Sequence, residues 1–193
     1  MPNQDNWKLY YEKTSGKPPR ETLTRALDRL KNEEIVGKAF DIGSGTCNDV
    51  KYLLEQGWKV VAVDNEPEAQ AYFVQEFSGK PSASFQLASF ERIKWEAVEL
   101  VHAGFALAFC PKEHFQQVMQ NIKAAIKKNG RFAGNFFGTA HTWNDLHLVT
   151  TAEVKELFKD FELEYFEESK LTRKSTFDEE IFHHNISIVA KKL

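Results

Sequence analysis

The chain has 193 residues, 42% of them hydrophobic, 13% aromatic and 27% charged, the mixture of one compact domain able to bury a core without disulfides or metal. Its 25 Lys and Arg against 28 Asp and Glu leave a formal charge of −3, which argues against the cationic surface that binding to nucleic acid phosphates requires. Cys47 and Cys110 stand far apart in no metal-ligand spacing, and no apolar run approaches the roughly 18 residues of a membrane span. The opening MPNQDNWKLYY lacks the basic and apolar segments of a secretory signal, so a cytoplasmic protein with no membrane partner is expected.

The aromatic start (Trp7, Tyr10, Tyr11) leads into the turn-rich SGKPPR, Ser15 to Arg20. Leu23, Ala26, Leu27 and Leu30 then recur at helical spacing. From Lys38 the pattern alternates: a strand Lys38–Ile42, a glycine loop, a helix Asn48–Gln56, and the apolar run Trp58–Val63 ending in Asp64, which together make a βαβ unit. It continues with a helix Pro67–Phe77, strands near Ser84–Leu87 and Val98–Ala103, a helix Lys112–Lys127 stopped by Asn129-Gly130, and a strand Arg131–Phe137. After a helix at Thr151–Phe158, Phe161–Phe166 and Ile181–Ala190 both read as strands, with no convincing helix in Glu167–Glu180. The expected fold is an open, mostly parallel α/β sheet with helices on both faces, whose last strand runs against the rest.

Chemistry concentrates in AFDIGSGTCNDV, residues 39–50, where a strand carrying Asp41 runs into Gly43 and Gly45 and then a helix. Glycines there permit positive φ and close approach of a ligand to backbone. The third small residue of a dinucleotide fingerprint would stand at Asn48, and the last glycine of D-x-G-x-G-x-G at Cys47, so both patterns are incomplete. Asp41 favours adenosylmethionine, since a carboxylate two residues before the first glycine repels a pyrophosphate and attracts an ammonium. Asp64, at the end of the next strand, suits the ribose hydroxyls of either cofactor.

With SGKPPR, DIGSGTCND, VVAVDNEPEA, FCPKEHF, KKNGRFAGNFFG and SIVAKK, the chain resembles class I S-adenosylmethionine-dependent methyltransferases, in particular small bacterial enzymes related to tellurite-resistance and thiopurine methyltransferases. The resemblance implies a Rossmann-like seven-stranded sheet with an antiparallel C-terminal strand. It divides a single domain, 1–193, into a lid segment and helix (1–37), a cofactor core (38–137) and an acceptor loop, helix and strand pair (138–193). It further implies that Gly43, Ser44 and Gly45 pass beneath the methionine portion, with Asp41 near its amino group, Asp64 on the ribose and Asn65 beside the adenine. Ser89 and Phe90 would flank the purine, His102–Ala103 would turn a carbonyl to the amino group, and Arg20 would meet the carboxylate.

An acceptor pocket is expected from Tyr11, Phe105, Phe109, His141 and Trp143, since ligands gather outside the carboxyl ends of the strands in such sheets. The acceptor implied is a small molecule. Its nucleophile would be soft, S, Se, Te or N, because no compelling general base stands out and no catalytic residue is singled out. His141, Asp145 and His147 could ligate a metal, but loop polarity or acceptor contact is the preferred reading and no metal is assigned. His183 and His184 point to opposite faces of a strand, at least one of them toward solvent. Cys47 at a helix start is a candidate for a lowered thiol pKa, with no base beside it in sequence. The competing functions are a non-catalytic adenosylmethionine-binding regulator and a nicotinamide-dependent oxidoreductase; oligomeric state is left open, a monomer included.

Overall fold

The computed structural model describes residues 4–193, with side chains from residue 7 onward, so residues 1–3 of the expected lid segment lie outside the described residues. Two helices, α1 (Gln4–Thr14) and α2 (Glu21–Asn32), precede β1 (Lys38–Ile42), α3 (Asn48–Glu55), β2 (Lys59–Asp64), α4 (Pro67–Phe77) and β3 (Ala83–Leu87). There follow β4 (Val98–Gly104), α5 (Lys112–Ala125), β5 (Ile126–Phe137), α6 (Thr151–Leu157), β6 (Phe161–Lys174) and β7 (Glu180–Lys192). Among the described residues no helix is long and apolar enough to cross a membrane.

The seven strands form one sheet in the order β3-β2-β1-β4-β5-β7-β6. The first five are parallel to their neighbours, and β7 runs antiparallel to both β5 and β6, as the missing crossover helix predicts. Alternate residues of the central strands enter opposite cores. Phe40, Val61 and Val101 pack against α5 and α6 through Phe115, Met119, Ile122 and Phe158. Ala39, Val60 and Leu100 pack against α2, α3 and α4 through Leu23, Leu27, Leu53 and Phe73. Burial on both faces explains why these strands read as continuous apolar runs.

Three features depart from the sequence expectation. The opening aromatic segment is helical, α1, and its side chains fold over the strand ends. The helix Lys112–Ala125 stops before Asn129, and Asn129, at φ 65°, instead belongs to an excursion in β5 where the register against β4 shifts between Val98 and Leu100. The polar stretch after Phe166 continues β6 to Lys174 and turns at Ser175–Glu179, with Asp178 at φ 63°. As the edge strand, β6 keeps much of its length in solvent and shows no apolar alternation to read.

Candidate functional site

The loops leaving β1, β2, β3 and β4 meet α1 and the β6–β7 turn around a cavity of about 480 Å³ at the carboxyl ends of the strands. Its position follows from topology, because strand order reverses beside β1 and connections there diverge to opposite faces, opening a crevice. The glycine loop forms the floor. Gly43 and Ser44 donate their amides to the Val63 carbonyl at 2.8 and 3.0 Å, and Gly45 donates to Asp64 Oδ2 at 2.9 Å. Gly43 and Gly45 sit at φ 72° and 47°, and a Cβ at Gly45 would lie 3.3 Å from the Tyr11 ring. Cys47 takes the third position with positive φ, 61°, where D-x-G-x-G-x-G has glycine. Burial, and then Asp41, pushes its thiol pKa up, the opposite of the activation expected at a helix start.

Asp64 borders the cavity with its Oδ1 accepting the Glu66 amide at 3.1 Å, so two backbone donors orient a carboxylate whose pKa burial raises. Asn65, Glu66, Ser89, Phe90 and Glu91 continue that wall. Gly43 and Gly45 line it, whereas Ser44 is buried and does not.

Two further expectations need correction. Asp41 does not border the cavity. It pairs in register with His102 across β1 and β4, is 2% exposed, and its Oδ1 lies 2.7 Å from His102 Nδ1. Asp49 Oδ2 lies 4.0 Å from the same nitrogen, and Asp49 Oδ1 accepts the Arg20 amide at 2.8 Å. Burial alone would lower the imidazole pKa, but Asp49 and Asp41 raise it, and burial raises that of Asp41. This network braces α2 and α3 against the sheet. His102 and Ala103 are likewise buried, and the backbone facing the cavity is that of Gly104, Phe105 and Ala106, because β4 runs one residue further than expected.

Arg20 lies on the cavity wall with its guanidinium 5.1 Å from the Phe105 ring centroid and forms no ion pair among the described residues, unlike Arg25, Arg29 and Arg131. Tyr11, Phe105, Phe109 and Trp143 also line the cavity with Trp7, whose ring centroid is 5.9 Å from that of Tyr11 and 5.3 Å from that of Phe109. Burial and Asp64 raise the Tyr11 hydroxyl pKa, so it stays protonated. His141 is not a wall residue: it is 3% exposed behind Phe137, accepts the Trp143 amide at 3.0 Å, and has its pKa lowered to about 4 by burial and by His183 and His184. His147 stacks on Phe115, 3.9 Å between centroids, away from His141.

Residues that sequence reasoning missed come from the β6–β7 pair: Arg173, Ser175, Thr176, His183 and Asn185. His183 and His184 do point opposite ways, yet neither faces bulk solvent. His184 is buried against Glu168, 2.7 Å away, while His183 borders the cavity with its pKa lowered by burial and Arg173. Only a knowledge of sheet order could have found them, since they lie about 130 to 140 positions from the glycine loop, on the hairpin whose strand β7 pairs with β5.

Residues 39–130 match the family described as "Methyltransferase domain". Among curated protein sequences, none matches the chain. The fold is that of class I S-adenosylmethionine-dependent methyltransferases, as three solved structures illustrate. TehB from Haemophilus influenzae superposes with a TM-score of 0.75 at 17% identity, over 88% of this chain and 62% of that one. The N-methyltransferase NodS from Bradyrhizobium japonicum, solved with S-adenosylhomocysteine, gives 0.66 at 16% over 96% and 93%. The 1,6-didemethyltoxoflavin-N1-methyltransferase of Burkholderia thailandensis, solved with its substrate and S-adenosylhomocysteine, gives 0.66 at 20% over 89% and 78%. The chain thus spans about three fifths of the length of TehB.

Proposed function

We propose that this chain is an S-adenosylmethionine-dependent methyltransferase acting on a small molecule. The observation that carries the reading is the continuity of one cavity from the paired Gly45 amide and Asp64 carboxylate to the aromatic cluster of Trp7, Phe109 and Trp143. Such a cavity has the volume and mixed lining of a small-ligand site. Asp64 would hold the ribose, Asn65, Ser89 and Phe90 the adenine, Arg20 the carboxylate, and the carbonyls at Gly104–Phe105 the ammonium, in place of Asp41, which is buried against His102. Bound there, adenosylmethionine would supply an electrophilic methyl group and a neutral thioether leaving group.

The chain's own contribution is positioning and exclusion of water, the main sources of advantage for a displacement with a good leaving group. A soft S, Se, Te or N nucleophile fits an aromatic wall with few charged groups. His183, kept neutral at pH 7, offers a place for the proton of an N–H acceptor. The open acceptor wall disfavours a purely regulatory binding protein, and the acids Asp64, Glu66 and Glu91 disfavour the pyrophosphate of a nicotinamide cofactor. Reduced Cys47 and Cys110 suit a cytoplasmic setting. Calorimetry is the direct test: S-adenosylhomocysteine should bind and NAD should not, and tighter binding of NAD rejects the reading. Transfer of labelled methyl across a metabolite panel then separates an enzyme from a regulator.

A further inference from the structure

This inference rests on the methyltransferase reading and adds the chemical class of the acceptor. The cavity wall is electrically lopsided. Its acids, Asp64, Glu66 and Glu91, all follow β2 or β3, at the end assigned to the nucleoside. Its cations, Arg20 and Arg173, come from the start of α2 and the end of β6. Arg20 is assigned to the cofactor's carboxylate, which leaves Arg173. Arg173 is an exposed lining residue and forms no ion pair among the described residues, whose arginine pairs involve Arg25, Arg29 and Arg131.

A second feature marks the same wall as a ligand contact. Asn185 is 6% exposed and borders the cavity, yet its Oδ1 has no hydrogen-bond partner among the described residues. An amide so buried is costly unless something reaches it. His183, next to it on the cavity, likewise leaves Nε2 without a partner. The same cavity is lined by the rings of Trp7, Phe109 and Trp143.

We propose that the methyl acceptor is a planar aromatic acid, its ring held among Trp7, Phe109 and Trp143 and its anionic group paired with Arg173. A guanidinium binds a carboxylate through charge-assisted hydrogen bonds, and aromatic walls favour a flat ring. The acceptor's negative charge also complements the sulfonium that it must approach.

The test uses an isosteric probe pair, indole-3-carboxylate and indole-3-carboxamide, titrated calorimetrically into the full chain with and without saturating S-adenosylhomocysteine at low salt. The acid should bind at least about ten-fold tighter than the amide. Arg173→Gln should cut that preference below about three-fold and leave S-adenosylhomocysteine affinity unchanged, while Arg173→Lys should keep most of it. Equal affinity for the two probes, binding of neither, or a preference that survives Arg173→Gln overturns the proposal. A chain that prefers the acid but fails to bind S-adenosylhomocysteine rejects the methyl-donor reading instead, so the two failures are distinguishable.

Discussion

Asp64 and Gly45 meet across 19 positions of sequence, the carboxylate accepting the loop amide at 2.9 Å while its second oxygen accepts the amide of Glu66. A single side chain therefore sets both the loop floor and the cavity wall. Replacing Asp64 by Ala is expected to weaken S-adenosylhomocysteine binding by about 1–3 kcal/mol through lost charge-assisted hydrogen bonds. Asp64→Asn, which keeps one acceptor, should lose less. Calorimetric affinities of the two variants in that order are the check; an unchanged Asp64→Ala affinity would contradict the assignment.

The helix α1 covers the cavity through Trp7, Tyr10 and Tyr11, and the Ser15–Arg20 turn joins it to α2. Closure of such a segment excludes water from a transferring group. Amide exchange in residues 7–14 is expected to slow when S-adenosylhomocysteine binds, and Arg20→Ala should weaken that ligand. Exchange rates indifferent to the ligand would remove the lid; an indifferent Arg20→Ala affinity would free Arg20 from the cofactor.

Cys47 occupies a left-handed backbone position with its side chain 1% exposed. The left-handed conformation costs about 1–2 kcal/mol for a residue with a Cβ. Cys47→Gly relieves that strain and loses buried side-chain contact, so its urea midpoint should stay close to that of the parent. Cys47→Val adds a β-branch and volume to the same place and should destabilise by about 2 kcal/mol or more. A Val variant as stable as the Gly variant would show that the local conformation is not what limits this position.

Arg131 is 0% exposed and is held by Glu33 at 2.5 and 2.7 Å and by Glu164 at 2.9 and 3.2 Å, joining the end of α2 to β5 and β6. Removing one member of a buried ion pair strands the other, so Arg131→Ala should cost about 3–5 kcal/mol. Arg131 and Lys191 hold the Glu33 carboxyl down to about 2 from its ordinary 4.5. A depressed folded-state pKa contributes stability that is fully present above about 4.5 and is lost as pH falls toward about 2. Because Glu33 is one-third exposed, that contribution is small. Glu33→Gln should flatten this acid limb of the thermal midpoint, and an unaltered limb would assign it to other carboxylates.

The strand-helix alternation was legible because central strands buried on both faces read as apolar runs, and the two glycines and Asp64 announce a ligand loop. What sequence could not supply was lateral register. Asp41 reads as a free acid until β4 places His102 beside it, 61 positions away, and consumes its charge. In sequence the β6 strand reads only as far as Phe166, because an edge exposed to solvent carries no periodic burial signal. The place of His183 on the cavity is hidden for the related reason that β7 inserts between β5 and β6, which brings its residues back to the cavity from the end of the chain.

That insertion divides the labour of the cavity along the chain. The groups assigned to the donor come mainly from residues 43–106, whereas Arg173, His183 and Asn185 sit on a hairpin anchored at its far end by Glu164 against Arg131. The turn at Ser175–Glu179 touches α1, where Asp178 pairs with Lys13 at 3.2 Å and Phe177 packs near Tyr10, but makes no backbone hydrogen bond to the glycine loop. Selection, or an engineer, can retarget the acceptor by editing a dozen residues near the C-terminus while the methyl supply stays as it is.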